Sequence, residues 1–179
     1  MTTAFVALGS NLAGASQSSQ VQLNTALAAI DGLAFSRLRR VSSFYSTPAW
    51  GDDHATGEQP RYVNAVAEIQ TDLAADALLC ALQAIESAQG RLRDPKRPNG
   101  PRTLDLDLLL YGRIRLHTIE LTCPHPRMHE RAFVLLPLLE IAPDVQIPGL
   151  GRAETYFAAL KPSDIFKLEP ESPHGIYQP

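Results

Sequence analysis

The sequence predicts an α+β fold of the ferredoxin-like type, a split βαβ sandwich in which helices pack on an antiparallel sheet. Segments with strand and helix patterns follow one another in the order strand, helix, strand, strand, helix, strand. The length of 179 residues, of which 45% are hydrophobic, suits one domain with its own core. The strand segments alternate between apolar and polar residues, which favours a sheet with one buried face. We therefore expect the helices on one face, with the other face covered or used for function.

The first half of the chain contains three predicted strands and one helix. The opening strand stops at Gly9, and the following helix directs Gln22 and Asn24 outward. A run rich in Leu, Val, Phe, Tyr and Ser then predicts one long strand that Pro48 closes. The predicted elements are a strand over 2–9, a helix over 21–30, a strand over 33–47, a polar loop over 51–60 and a strand over 62–70.

The second half begins with a helix that Thr71 or Asp72 can cap and that ends near Gly90. Gln83 and Glu86 border its apolar stripe. The remaining predictions are a core stripe of Leu78, Leu82 and Ile85, a basic loop over 91–102, a strand over 104–111, a partner strand over 113–122, a helix over 133–141 ended by Pro143, and a single domain over 1–167 with a proline-rich tail over 168–179.

Charge and composition exclude several function classes. A net charge of −3 and a pI of about 5.9 argue against binding to nucleic acid, which needs a basic field. No apolar run reaches the roughly 18 residues of a membrane span, and the first ten residues lack a signal-peptide pattern, so we expect a cytoplasmic protein. We further expect a monomer whose partners are small molecules. The two cysteines, Cys80 and Cys123, are too few for a disulfide framework, and we expect both to be buried.

Two aspartates interrupt the apolar strand GPRTLDLDLLL at 100–110. Because strand side chains alternate, Asp105 and Asp107 share one face, with Cα atoms about 6.6 Å apart, and the leucines take the other. Two adjacent like charges are unfavourable unless a cation lies between them. Carboxylates suit Mg²⁺, and arginines suit phosphate. The pair therefore predicts a metal–nucleotide site for phosphoryl transfer, together with the basic residues that precede it, Arg91, Arg93, Lys96, Arg97 and Arg102.

Two other motifs match known functional patterns only incompletely. GSNLAGAS at 9–16 lacks the Gly-Lys-Ser/Thr ending of a P-loop, and HPRMH at 125–129 lacks the glutamate of an HExxH zinc site. Two alternatives use the same Asp pair or fold. One is a metal-dependent phosphohydrolase or nuclease, and the other is a ferredoxin-like RNA-binding module, which the acidic pI disfavours.

Six ordered motifs carry a resemblance to a known family. They are VALGSNL at 6–12, VSSFYSTPAWG at 41–51, YVNAV at 62–66, QAIESAQGRLR at 83–93, GPRTLDLDLLLYG at 100–112 and LTCPHPRMHERAFVLLPLLEIAPD at 121–144. Together they resemble 6-hydroxymethyl-7,8-dihydropterin pyrophosphokinase, nearly throughout residues 3–150. The resemblance implies transfer of the β and γ phosphates of ATP to the hydroxymethyl group of a reduced pterin, with release of AMP, in folate synthesis.

The resemblance also implies roles for individual residues. Asp105 and Asp107 hold two Mg²⁺ ions and, with Arg93 and Arg102, form the catalytic set. The nucleotide contacts are Gln83, Glu86, Arg93, Arg102, Thr122, His125 and Arg131. The pterin contacts are Gly9, Thr47, Pro48, Trp50, Tyr62, Asn64 and Phe133, with Tyr62 and Phe133 on the two faces of the ring. No activated nucleophile is recognisable, so we expect direct in-line attack. We also expect residues 51–61 and 94–100 to close over the site, bringing in Lys96 and Arg97.

Overall fold

A computed structural model describes residues 1–16, 18–49, 60–91 and 101–171. In chain order the elements are β1 (Thr2–Ser10), α1 (Ser19–Asp31), β2 (Ser36–Val41), β3 (Tyr45–Thr47), β4 (Tyr62–Thr71), α2 (Ala75–Ala88), β5 (Asp105–Tyr111), β6 (Leu116–His117), β7 (Thr122–Cys123), a 3₁₀ turn (Met128–Glu130), α3 (Ala132–Ile141), β8 (Gln146–Ile147), β9 (Gly151–Arg152), α4 (Ala153–Leu160) and β10 (Phe166–Lys167).

The main sheet has six strands in the order β10-β3-β4-β1-β5, and β2 also pairs with β4. Every pairing in it is antiparallel. The chain leaves β1 through α1 and returns on the far side of β4, and it leaves β4 through α2 and returns on the far side of β1. These are two interlocked split βαβ units, so the predicted ferredoxin-like α+β fold is confirmed.

The first face of the sheet packs on α1 and α2. Alternate residues of β1 and β5 point to this face, and the core contains Leu8, Leu23, Leu78 and Leu106, each at most 3% exposed. The predicted stripe of α2 is part of this core. Ser18 caps α1 by accepting a hydrogen bond from the backbone N–H of Val21. This layer fixes the register of the two central strands.

The second face, which was expected to be covered or used for function, is half covered by a helix and half open. Helix α3 packs on it through Leu135 and Leu138, and α4 packs mainly against α3. The register of β1 and β5 shifts between Phe5 and Val6. Because of this bulge, Leu109 and Leu110 both join the cluster under α3. The other half of this face, toward Gly9, is left for the functional site.

The single long strand predicted over 33–47 is wrong. The segment forms two strands, β2 and β3, that pair with different parts of β4. Between them Ser42 bonds both backbone groups of Val66, and Glu140 of α3 accepts hydrogen bonds from the backbone and side chain of Ser43. These contacts interrupt the extended backbone. Phe35 has a φ of 60°, so the strand begins after it.

Several local predictions were also wrong. Ala74, not Thr71 or Asp72, is the N-cap of α2, and Thr71 ends β4. Gln22 is buried: its Oε1 accepts a hydrogen bond from Ser16, and its side-chain amide lies 2.7 Å from that of Gln89. Cys80 is exposed, whereas Cys123 is buried as predicted.

The predicted partner strand over 113–122 does not join the main sheet. Leu116–His117 within this segment form β6, and Thr122–Cys123 at its end form β7, and these two short strands pair with each other. The first tail residues lie on the domain: the N–H of Leu168 donates to the carbonyl of Phe44, and Glu171 accepts from Ser18. None of the helices in the described ranges is long and apolar enough to cross a membrane.

Candidate active site

The uncovered half of the second sheet face forms a cavity of about 510 Å³. Its floor comes from neighbouring strands in register: Gly9 of β1 lies between Asn64 of β4 and Asp105 of β5, and Ala7 lies beside Asp107. Strand alternation places all of these residues on the same face. The side walls come from α2, from the segment after β6 and from the start of α3. One end of the cavity is charged, and the other end is aromatic and amide-bearing.

Arginines surround Asp105 at the charged end. One carboxylate oxygen lies 2.6 Å from Nη1 of Arg91, and the other lies 2.9 Å from Nη1 of Arg102. These side chains are 13–23% exposed, so the pairs are only partly screened by water. The sequence predicted a cation beside the Asp pair, and in this structure guanidinium groups lie at that position.

The carboxylate of Asp107 lies farther from the arginine groups of the described residues than that of Asp105 does. Nη1 of Arg131 lies 3.7 Å from Oδ2 of Asp107, and Nε2 of His125 lies 3.8 Å from the same oxygen. Burial, followed by the charge of Asp105, raises the pKa of Asp107 to about 6. An additional cation at this point would relieve that penalty.

His125 is held in one tautomer by its backbone surroundings. The N–H of Arg127 donates to Nδ1 of His125, so the ring proton resides on Nε2, which faces Asp107. Burial and the charge of Arg131 lower the pKa of His125 to about 4. At neutral pH the ring is therefore an uncharged hydrogen-bond donor at the charged end of the cavity.

Glu86 projects from α2 into the base of the site and is 2% exposed. It accepts a 2.7 Å hydrogen bond from the backbone N–H of Leu106, between the two aspartates, and forms an ion pair with Arg91. Arg91 therefore links Glu86 to Asp105. Arg91 was expected among the basic residues of a metal–nucleotide site, but no contact with Glu86 was predicted for it; its place five residues after Glu86, just past the end of α2, was the available signal.

The opposite end of the cavity contains Asn64, which is 6% exposed and donates a 2.8 Å hydrogen bond to Oγ1 of Thr47. A side chain at Gly9 would approach Oδ1 of Asn64 to 3.2 Å, so glycine keeps that oxygen accessible. The guanidinium of Arg102 is hydrogen-bonded to Tyr62, and that of Arg131 lies 5.8 Å from the ring centre of Phe133. The aromatic residues therefore connect the two ends.

The structure brings most of the candidate residues to this one cavity. Trp50 and Arg93, and the loop residues Lys96 and Arg97, lie outside the described residues. Gln83 and Pro48 line the cavity with exposed side chains. The candidates that line it are Gly9, Thr47, Pro48, Tyr62, Asn64, Gln83, Glu86, Arg102, Asp105, Asp107, Thr122, His125, Arg131 and Phe133.

No group of three or more His, Cys, Asp or Glu side chains in the described part of the chain forms a metal-binding cluster. The adjacent carboxylates of Asp105 and Asp107 form one donor set in an open cavity that arginines also line. This set does not suit a closed structural zinc site, but it fits Mg²⁺, which takes one or two carboxylates and completes its shell with water and substrate phosphates.

Comparisons with known proteins agree with this chemistry. The sequence model of the family described as 7,8-dihydro-6-hydroxymethylpterin-pyrophosphokinase (HPPK) matches residues 5–143. The 2-amino-4-hydroxy-6-hydroxymethyldihydropteridine pyrophosphokinase of Haemophilus influenzae is 48% identical over 149 residues, which are 83% of this chain and 87% of the relative. The enzyme of the same name from Pseudomonas aeruginosa is 48% identical over 144 residues, covering 80% and 83%.

Solved structures support the fold independently. A crystal structure of wild-type Plasmodium falciparum HPPK-DHPS with pteroate matches with a TM-score of 0.67 at 11% identity, covering 88% of this chain and 42% of that one. This likeness concerns the fold alone. The family match and the bacterial relatives carry the identification, and the chain belongs to the 7,8-dihydro-6-hydroxymethylpterin-pyrophosphokinase family.

Proposed function

We propose that this protein transfers the pyrophosphoryl group of ATP to the hydroxymethyl oxygen of 6-hydroxymethyl-7,8-dihydropterin and releases AMP, a step of folate synthesis. Family membership supports the reaction. One structural observation supports the site: a single cavity joins an aromatic, amide-bearing end to an end with two carboxylates and several guanidinium groups. The phosphohydrolase alternative gains no support, because the relatives named above are pyrophosphokinases.

The pterin occupies the aromatic end in this proposal. Tyr62 and Phe133 stack on the two faces of the ring, each contributing roughly 0.5–1.5 kcal/mol beyond the burial of area. Asn64 retains an accessible acceptor beside Gly9, while Thr47 fixes the amide orientation. An amide that is oriented in this way can discriminate the hydrogen-bonding edge of a heterocycle. Gly9, Thr47, Pro48 and Trp50 complete the proposed pterin contacts.

The triphosphate occupies the charged end. Asp105 and Asp107 would hold Mg²⁺, proposed as two ions, which would offset negative charge on the phosphate oxygens. Arg102 and Arg131, which now contact the two aspartates, are placed to contact phosphate oxygens instead. His125 presents an uncharged Nε2–H donor to the same region. Gln83, Glu86 and Thr122 line the proposed nucleotide subsite, with Arg93 as a further phosphate contact.

Transfer proceeds by direct in-line attack of the pterin hydroxyl on the β-phosphorus. Among the described residues that line the cavity there is no serine or cysteine to form a covalent intermediate, and neither ring nitrogen of His125 is a free nucleophile, because Nδ1 accepts a hydrogen bond from the N–H of Arg127 and Nε2 carries the proton. The arginines stabilise the charge that develops on the phosphate oxygens, and the two subsites align the reacting atoms. We further propose that residues 1–167 are one pyrophosphokinase domain, because β10 joins the main sheet and ends at Lys167. The monomeric state, the cytoplasmic location and the closing loops stay predictions.

Product analysis tests the proposal. The protein is incubated with ATP, Mg²⁺ and the reduced pterin, and each component is omitted in turn. We expect AMP and the pterin diphosphate only when all three are present. ADP as the product, or ATP turnover without pterin, would contradict the proposed function and favour simple phosphoryl transfer or hydrolysis.

A further inference from the structure

Asn11 directly follows β1 and is 4% exposed, yet none of the roles proposed above involves it. Its side chain joins two distant segments. Nδ2 donates a 3.1 Å hydrogen bond to the carbonyl of Pro60, and Oδ1 accepts a 2.8 Å hydrogen bond from the N–H of Arg102. Because a carbonyl can only accept and an N–H can only donate, these two partners fix the amide orientation.

The backbone after β1 reinforces the contact with Arg102. The N–H groups of Asn11 and Leu12 both donate to the carbonyl of Arg102, each at 3.2 Å. Both backbone polar groups of Arg102 are therefore bonded to this short segment. Arg102 in turn carries its guanidinium to within 2.9 Å of Asp105. The position of this cation relative to the Asp pair thus depends on Asn11.

The bond to Pro60 acts on the other end of the cavity. Pro60 lies two residues before Tyr62, the first residue of β4, whose ring lines the cavity and whose hydroxyl is bonded to Arg102. Without the Asn11 amide, the approach to β4 and the approach to β5 would each lose a bond to the end of β1. The amide therefore ties together the segments that carry Tyr62 and Arg102.

We propose that Asn11 is a positioning residue for pyrophosphoryl transfer, which sets the distance between the aromatic pterin subsite and the phosphate subsite. The inference depends on the proposed function, because only a reaction between two bound substrates is sensitive to that distance. Misplacement of reacting groups by about 1 Å can cost roughly a hundredfold in rate. Asn11 should accordingly influence turnover more strongly than it influences ATP binding in the binary complex.

The test compares Asn11→Ala with a matched structural variant, Thr71→Val. Thr71 is also buried and bonds Ser36, Phe35 and Leu73 through its hydroxyl, but it lies at the opposite end of β4. Thermal unfolding, kcat, the KM for pterin and the Kd of a non-hydrolysable ATP analogue are measured for both. At a temperature where each is folded, we expect Asn11→Ala to lose about 10- to 100-fold in kcat and to raise the pterin KM, with the ATP-analogue Kd within about threefold. Thr71→Val should match wild type in all three.

Equal kinetic behaviour of the two variants would overturn the inference and leave Asn11 as an ordinary fold contact. If Asn11→Ala does not fold, the isosteric Asn11→Asp is measured, which keeps the acceptor for Arg102 and loses the donor to Pro60. A raised pterin KM then supports the inference, and an unchanged pterin KM overturns it. Wild-type formation of AMP is the reference throughout, so a failure of the proposed function is distinguished from a failure of the role of Asn11.

Discussion

The two halves of the second sheet face are built from the same antiparallel strands and have opposite chemistry. Toward one end, Phe5 and Val66 lie under α3 in a buried hydrophobic cluster. Toward the other, Gly9, Asn64 and Asp105 form one cross-strand row that is open to the cavity. Strand alternation alone puts these side chains on one face, so the difference comes from side-chain type and from where α3 begins. A single sheet can therefore provide a rigid core and a polar site within a few residues of each other.

Hydrogen bonds join the two halves at their boundary. Glu140 of α3 accepts hydrogen bonds from Ser43 and from the hydroxyl of Tyr45, which pairs across the sheet with Asn64. The helix that covers one half is thus tied to the strand that borders the other. We expect changes in the covered half to reduce stability, and changes in the open half to reduce turnover.

The largest expected effect on turnover is at the Asp pair. Asp105→Asn and Asp107→Asn should each lower kcat by at least about a hundredfold, because phosphate charge would be offset less well. Their stabilities without Mg²⁺ should differ. Asp105→Asn loses the carboxylate charge at two arginine contacts, so its free energy of unfolding should fall by about 1 kcal/mol or more and its unfolding temperature should fall with it.

Asp107→Asn should keep or raise the unfolding temperature. The folded pKa of Asp107 is raised to about 6, so protonation favours the folded state, and that contribution is lost as pH rises through this value. The advantage of the variant over wild type should therefore grow between pH 4 and pH 7.5. Repulsion between two adjacent like charges, taken alone, would predict the same response for both variants. Near-wild-type turnover of either variant would contradict the role of the Asp pair.

In the covered half, Leu138→Ala should reduce the free energy of unfolding by about 2–5 kcal/mol, because this fully buried side chain leaves a cavity under α3. Denaturant unfolding measures the loss. The KM values of the folded variant for ATP and pterin should stay within about twofold of wild type. A large change in either KM would show that the two halves are not separable.

Phe133 lies at the boundary, where it packs on the α3 cluster and lines the cavity. Phe133→Ala should raise the pterin KM by roughly tenfold through loss of one ring contact, with a smaller effect on ATP. Phe157→Ala is the matched control, since Phe157 packs on the same cluster but is not among the cavity-lining residues. If both variants change the pterin KM equally, Phe133 does not contact the ring.

The smallest expected effect is on the free energy of unfolding, at Glu140, whose hydrogen bonds join the two halves. Burial alone would raise the pKa of Glu140, but the hydrogen bonds from Ser43 and Tyr45 outweigh it and lower the pKa. A lowered folded pKa contributes stability above the unfolded value of about 4.5 that is lost as pH falls through the folded value. Glu140→Gln should therefore cost about 1 kcal/mol at pH 7 and little near pH 3. Chemical denaturation at both pH values measures it, and a cost that does not depend on pH would contradict this account.

The sequence predicted what depends on local periodicity. The alternation in LDLDLL predicted the faces of Leu106, Asp105 and Asp107, and the resemblance supplied candidate residues, of which those in the described ranges line one cavity. The sequence could not predict contacts between residues that are distant along the chain and meet only in the folded structure. The burial of Gln22 depends on Ser16 and on Gln89, 67 residues away, and the break between β2 and β3 depends on Glu140. The ion pairs of Arg91 likewise join a helix end to a strand.

A crystal structure of the ternary complex with Mg²⁺, a non-hydrolysable ATP analogue and the reduced pterin tests the central claim most directly. We predict that the pterin ring lies between Tyr62 and Phe133 with its edge on Asn64, and that the phosphates lie over Asp105 and Asp107. A pterin bound instead in the groove beside β6 and β7, near Arg115, His117 and His129, would contradict the assignment of the open half as the active site.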